Sequence, residues 1–66
     1  MSKVEITKEA KRLIDLFDFV KDEKQRLVCA VTCAEQMSNA CETRYIDFYK
    51  EVVYTIVVEY TNPTQN

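Results

Sequence analysis

Apolar residues recur along the first third of the chain at alternating spacings of four and three. This spacing places them on one face of an α-helix, opposite a face of lysine, arginine and aspartate side chains. The apolar series is Ile6, Ala10, Leu13, Phe17 and Val20. Thr7 precedes an acidic first turn and is a typical N-cap residue. The pattern predicts a first amphipathic helix over about residues 8–20.

A second helix is predicted over about residues 23–38. Asp22 followed by Gln25 matches a capping box, and Asn39 followed by Glu42 repeats the pattern at the other end. At about 100° per residue, residues 27–37 are apolar on nearly every side, which is typical of a buried helix. Two neighbouring helices cannot cover such a helix completely, so we expect a second copy of the chain to cover the rest. The expected contact residues are Val28, Cys29, Cys33 and Met37.

The last helix is harder to predict, because its segment is rich in β-branched and aromatic residues, which favour strands. As a helix, the segment carries an apolar series that begins well before the β-rich run. As a strand, it would have no partner strand elsewhere in the chain. That series is Ile46, Tyr49, Val53, Ile56 and Tyr60. We therefore predict a helix over about residues 40–61, ending before Pro63. The alternatives are an intermolecular strand and one bent helix continuous with the second.

Length and composition define the expected fold class. The chain has 66 residues, no glycine and one proline, which favours helices joined by minimal connections. We expect one all-α domain over residues 1–62 and a disordered tail at 63–66. The domain is a small antiparallel three-helix or bent two-helix unit. Because so short a chain buries a marginal core, we expect homo-oligomerisation to complete it.

Charge excludes some classes of partner. The net charge is −2, with seven basic and six acidic side chains in residues 1–26 and two and five in residues 27–66. No basic stripe is present for binding nucleic acid. No apolar run is long enough for a membrane span, and no signal-peptide core precedes the first helix. We expect a cytoplasmic protein that binds neither nucleic acid nor membrane.

The three cysteines, Cys29, Cys33 and Cys41, are the main candidates for chemistry. A structural zinc site needs four ligands, and the chain has three thiols and no histidine. A disulfide between residues one helical turn apart would constrain little, and a reducing compartment opposes it. A nucleophilic cysteine would have no histidine base. We therefore expect buried, reduced thiols, no metal, no cofactor and no enzymatic activity.

Two hypotheses for function remain. The first is a small interaction protein that regulates or inhibits another protein by docking on it, such as a bacterial regulator or a phage-encoded anti-host factor. Tyr54 and Val58 lie outside the apolar series of the last helix, and Phe19 lies outside that of the first. Exposed apolar side chains of this kind mark partner surfaces.

The alternative hypothesis is an oligomer that binds or sequesters a nucleotide-like ligand at its subunit interfaces. Tyrosine rings would stack on the base, and basic side chains would bind the phosphate. The candidate residues are Arg26, Arg44, Tyr45, Tyr49 and Lys50.

Overall fold

The computed structural model describes residues 2–60, and every regular element in that range is helical. The elements are α1 (Lys3–Leu16), α2 (Glu23–Ala40), α3 (Thr43–Thr55) and a π-helical turn (Ile56–Tyr60). They include 85% of the described residues, and no strand occurs among these. The predicted all-helical class is confirmed. The end of the predicted last helix, at residue 61, and the predicted tail at 63–66 lie outside the described residues.

α1 begins at Lys3 rather than at residue 8, so the predicted N-cap Thr7 is wrong. The cap is Ser2, whose Oγ accepts a hydrogen bond from the Glu5 backbone N–H at 3.2 Å. This bond satisfies one of the free N–H groups at the start of the helix. α1 ends at Leu16 rather than at residue 20, and its backbone continues as a turn over residues 17–19.

α2 begins where the sequence predicts and continues two residues further than residue 38. The Asp22 carboxylate accepts a hydrogen bond from the Lys24 backbone N–H at 3.3 Å. Asn39 lies inside α2, so its predicted role as the next N-cap is wrong. Cys41 and Glu42 have extended backbone, with ψ of 173° and 152°, and separate α2 from α3. The two helices are therefore not one continuous helix.

α3 is helical despite its β-branched residues, but its regular α-geometry ends at Thr55. The Ile56 backbone N–H bonds to the carbonyls of both Val52 and Val53, and a wider π-helical turn follows. A π-helical turn has hydrogen bonds between residues five apart in place of the four of an α-helix. The turn directs Val57 and Val58 into different surface grooves, which are described below.

The core is small and rich in alanine. Its largest fully buried side chains are Leu13, Val52 and Ile56. The complete buried apolar cluster is Ala10, Leu13, Leu27, Ala30, Ala34, Val52 and Ile56. The predicted face of α3 is correct in part. Ile56 of that face is fully buried, and Tyr49, Val53 and Tyr60 are half-buried and pack against the core. Val52 and Thr55, which lie beside the predicted face, are buried as well, so the buried arc of the helix is shifted to one side of the predicted one.

α2 is only partly covered in the single chain. Its buried residues are Leu27, Ala30, Ala34 and Ser38, and the Ser38 hydroxyl donates a hydrogen bond to the Ile46 carbonyl at 3.4 Å. The three cysteines are free thiols and are half-buried. The prediction that they are buried is therefore wrong for the single chain. No group of three or more metal-ligating side chains occurs in residues 2–60. None of the helices there combines the length and apolar character needed to cross a membrane.

Candidate partner-binding surface

Tyr54 and Val58 lie on a groove between α1 and the outer side of α3. Tyr54 is 64% exposed and Val58 is 41% exposed. Two adjoining depressions of about 440 and 240 Å³ share Ile6 and Glu51 and form one continuous surface. We call this surface the acidic groove. It is lined by Lys3, Ile6, Arg44, Asp47, Phe48, Glu51, Tyr54, Thr55, Val58 and Glu59.

The spacing of the residues explains how the groove forms. Asp47, Glu51 and Tyr54 follow one another at intervals of four and three, so they share one face of α3, and Val58 follows in the π-helical turn. Ile6 of α1 closes the opposite side. Sequence reasoning assigned Tyr54 and Val58 to a partner surface but did not assign the carboxylates beside them to it. The spacing of Asp47 and Glu51 from Tyr54 was the signal that could have done so.

The carboxylates of the groove have no partners within the described residues. Asp47, Glu51 and Glu59 make no ion pair or side-chain hydrogen bond in residues 2–60. Arg44, in contrast, is already engaged. Its Nε lies 3.0 Å from a Glu42 carboxylate oxygen, and its guanidinium carbon lies 4.9 Å from the centroid of the Tyr45 ring. The groove therefore combines apolar side chains with an excess of negative charge, because it has three unpaired carboxylates and one unpaired cation, Lys3, among the described residues.

A polar cluster fixes α1 against α3 close to the acidic groove. The Tyr49 hydroxyl donates a hydrogen bond to Glu9 Oε2 at 2.9 Å, and Arg12 donates two to the same carboxylate at 2.7 and 2.6 Å. The hydrogen bonds from Arg12 lower the pKa of Glu9, with a smaller contribution from Tyr49. Burial, followed by the bond to Glu9, raises the pKa of Tyr49. The three side chains form hydrogen bonds within the cluster, which indicates a structural role.

A second groove lies between α2 and the π-helical turn and has a volume of about 380 Å³. We call it the valine groove; it is lined by Lys24, Leu27, Val28, Val31, Thr32 and Val57. Val28 is 53% exposed there. The groove adjoins the buried face of α2, because Leu27 belongs to both.

The four predicted oligomer contacts do not form one patch in the single chain. At about 100° per residue, Val28 points about 140° away from Cys33 and about 180° away from Met37. Cys33 and Met37 are half-buried and pack against the core cluster, whereas Val28 lines the valine groove. Cys29 is half-buried as well. One flat interface cannot contact all four residues of one helix.

The basic and aromatic residues predicted to bind a nucleotide do not converge either. Arg26 donates hydrogen bonds to the Val20 carbonyl at 3.1 and 2.8 Å, and so holds the connection between α1 and α2. It is therefore engaged in the fold rather than free for a phosphate.

The other predicted ligand contacts lie in separate places along α3. Tyr45 packs against the Arg44 guanidinium, and Tyr49 binds Glu9. Lys50 lines a depression of about 500 Å³ between α2 and α3, with Glu35, Gln36, Ser38, Asn39 and Val53. The single chain therefore has no site that combines all five candidates.

Phe19 is the most exposed large apolar side chain described, at 78%. It lies in the connection between α1 and α2, with its ring centroid 6.1 Å from that of Phe17. It does not line the acidic groove. Phe19 is thus a separate exposed site rather than part of the surface formed by Tyr54 and Val58.

The chain was also compared with known proteins. No protein-family model matches it, and no curated protein or solved structure does.

Proposed function

We propose that this chain is a small non-enzymatic interaction protein that regulates or inhibits another protein by docking through the acidic groove. The observation that carries the proposal is the exposure of Tyr54 and Val58, one turn apart, on a groove that Ile6 and Phe48 also line. Burying a large apolar side chain contributes about 1.5–3 kcal/mol. Two such side chains left in water are therefore an available source of binding energy.

The position of these residues beside a well-fixed pair of helices also supports docking. The hydrogen bond between Glu9 and Tyr49 holds α1 and α3 together, so the groove between them is formed before any partner arrives. A preformed surface loses less conformational entropy on binding than a flexible one. Tyrosine is enriched in such interfaces because its ring is large, rigid and polar at one end.

The proposal retains several features that the sequence predicts. These are an antiparallel arrangement of the helices, completion of the core by a second copy, and a cytoplasmic location. The open sides of α2 and its half-buried thiols support self-association. A regulator of bacterial or phage origin is the biological setting that we propose.

The proposal is tested by capturing partners with two matched double variants. Tyr54→Gln with Val58→Gln removes the apolar side chains of the groove while keeping helix-forming residues of unchanged charge. Val4→Gln with Leu16→Gln removes two exposed apolar side chains elsewhere. Each variant and the natural chain are used to capture proteins from the native host, and mass spectrometry compares the captured sets.

We expect the first double variant to lose a protein that the natural chain and the second double variant both retain. Circular dichroism should show that both variants keep the helical signal. Loss of the same protein from both variants, or from neither, would contradict docking through the groove. A co-purified nucleotide in place of a protein would favour the ligand-binding alternative.

A further inference from the structure

The chemistry of the acidic groove specifies what kind of partner fits it. We propose that its occupant is a cationic amphipathic helix of another protein, with lysine or arginine side chains beside an apolar stripe. This inference rests on the proposed function and adds the chemical class of the partner. It follows from the charge, the shape and the length of the groove.

Charge complementarity is the first argument. Asp47, Glu51 and Glu59 line the groove without any ion-pair partner in the part of the chain that the structure describes. The groove cations are Lys3 and Arg44, and Arg44 is already paired with Glu42. An apolar partner without charge would partly desolvate these carboxylates and leave them unpaired, which costs free energy. Lysine or arginine side chains beside the apolar contacts would pair with them.

The shape of the groove is the second argument. The groove runs between two helices, and a third helix packs into such a space with its side chains between the ridges of the other two. Its apolar lining includes Ile6, Phe48 and Val58. A partner helix would place apolar side chains here at positions i, i+4 and i+7, with its basic residues directed towards α3.

The length of the groove sets the length of the partner. At the α-helical rise of 1.5 Å per residue, the backbone from Asp47 to Glu59 would extend about 18 Å, and the π-helical turn from Ile56 makes the distance slightly shorter. An occupant of about 12–14 residues, or three to four turns, matches that distance. The carboxylates of residues 47, 51 and 59 would then pair with basic residues spread along the whole partner helix rather than gathered at one of its ends.

The test uses fluorescence anisotropy with synthetic peptides of about 14 residues, the length given by the groove. One peptide is an amphipathic helix of leucine and lysine, and the matched peptide contains glutamate in place of lysine. The groove variant combines Asp47→Asn, Glu51→Gln and Glu59→Gln. The control variant combines Asp15→Asn, Asp18→Asn and Glu35→Gln, which removes three exposed carboxylates elsewhere. The two variants have the same net charge.

We expect the natural chain to bind the lysine peptide and not the glutamate peptide. Three exposed ion pairs, each of modest strength, together correspond to about a tenfold change in affinity. The groove variant should therefore bind the lysine peptide about tenfold more weakly, while the control variant binds as the natural chain does. Added salt should weaken binding by the natural chain more than binding by the groove variant, because salt screens these pairs.

Other outcomes would overturn the inference and are distinguishable from failure of the proposed function. Equal weakening by both variants would show attraction to net charge alone. Equal binding of both peptides, or binding of neither, would show that the groove does not select cationic helices. In each case the capture experiment with Tyr54→Gln and Val58→Gln still decides whether another protein docks on the groove.

Discussion

Tyr49 donates its phenolic hydrogen to the Glu9 carboxylate across 2.9 Å, and this bond joins α3 to α1. The two residues are 40 positions apart in the sequence, so the bond forms only when the helices pack. The Glu9 side chain is only 14% exposed. This pair therefore fixes the two helices that form the acidic groove.

Replacing Tyr49 with phenylalanine should destabilise the fold without changing its helical content. The variant Tyr49→Phe keeps the ring and removes one hydrogen bond to a charged acceptor, which contributes about 1.5–3 kcal/mol. Urea denaturation should show a loss of about this size. Tyr45→Phe is the matched control, because Tyr45 is exposed and its described interaction is between its ring and Arg44. An equal loss in both variants would show that the bond to Glu9 contributes little.

Acid should weaken the fold through Glu9. Its pKa is below the ordinary value of 4.5 in the folded chain, mainly because Arg12 donates hydrogen bonds to it. A lowered folded pKa contributes stability that is present above the unfolded pKa and is lost as the pH falls through the folded pKa. The melting temperature should therefore decrease from about pH 4.5 downwards. In Glu9→Gln this decrease should be smaller, and an unchanged pH profile would contradict the role of Glu9.

The displaced buried face of α3 is tested by alanine substitutions. Ile56→Ala removes a fully buried side chain and should cost about 2–5 kcal/mol. Val52→Ala should also cost more than Val53→Ala, because Val52 is fully buried and Val53 is half-buried. Chemical denaturation of the three variants gives the comparison. If Val53→Ala is the more damaging of the two valine variants, the face predicted from the sequence is the correct one.

The start of α1 is tested by replacing each of its two candidate N-cap residues with alanine. Ser2 caps the helix through its hydroxyl, and removing such a cap costs about 1 kcal/mol. Thermal unfolding of Ser2→Ala should show this loss. Thr7 lies within the helix, so Thr7→Ala should be neutral or slightly stabilising, because alanine favours helices more. A larger loss of stability in Thr7→Ala than in Ser2→Ala would place the start of the helix at Thr7, as the sequence predicts.

The helical class could be predicted because the periodicity of apolar residues outweighed local preference. The β-branched run after Val52 favours strands by composition, yet the spacing that begins at Ile46 is helical, and the structure is helical there. Asp22 was predicted correctly because its cap depends on neighbouring residues alone. Ser2 followed by Glu5 has the same capping-box spacing as Asp22 followed by Gln25. The start of the helix was nevertheless predicted too late, because it was placed by the apolar series that begins at Ile6.

The displaced face of α3 could not be predicted from one helix. A series spaced by three and four defines an arc of the surface, and neighbouring helices decide which part of that arc is buried. Here Val52 is fully buried in the core, whereas Val53 is half-buried and packs against it. The π-helical turn was not predicted either, because over five residues the spacing of apolar side chains does not distinguish it from an α-helical turn. The acidic groove required two helices, so Ile6 could not be assigned to it from the sequence.

The central claim, that another protein docks on Tyr54 and Val58, is tested most directly by photocrosslinking in the native host. A benzophenone amino acid replaces Tyr54 or Val58, and Leu16, exposed on α1, is the control position. The account predicts a discrete adduct with another protein from positions 54 and 58 and none from position 16. Equal adducts from all three positions, no adduct from 54 and 58, or an adduct with a second copy alone would contradict it.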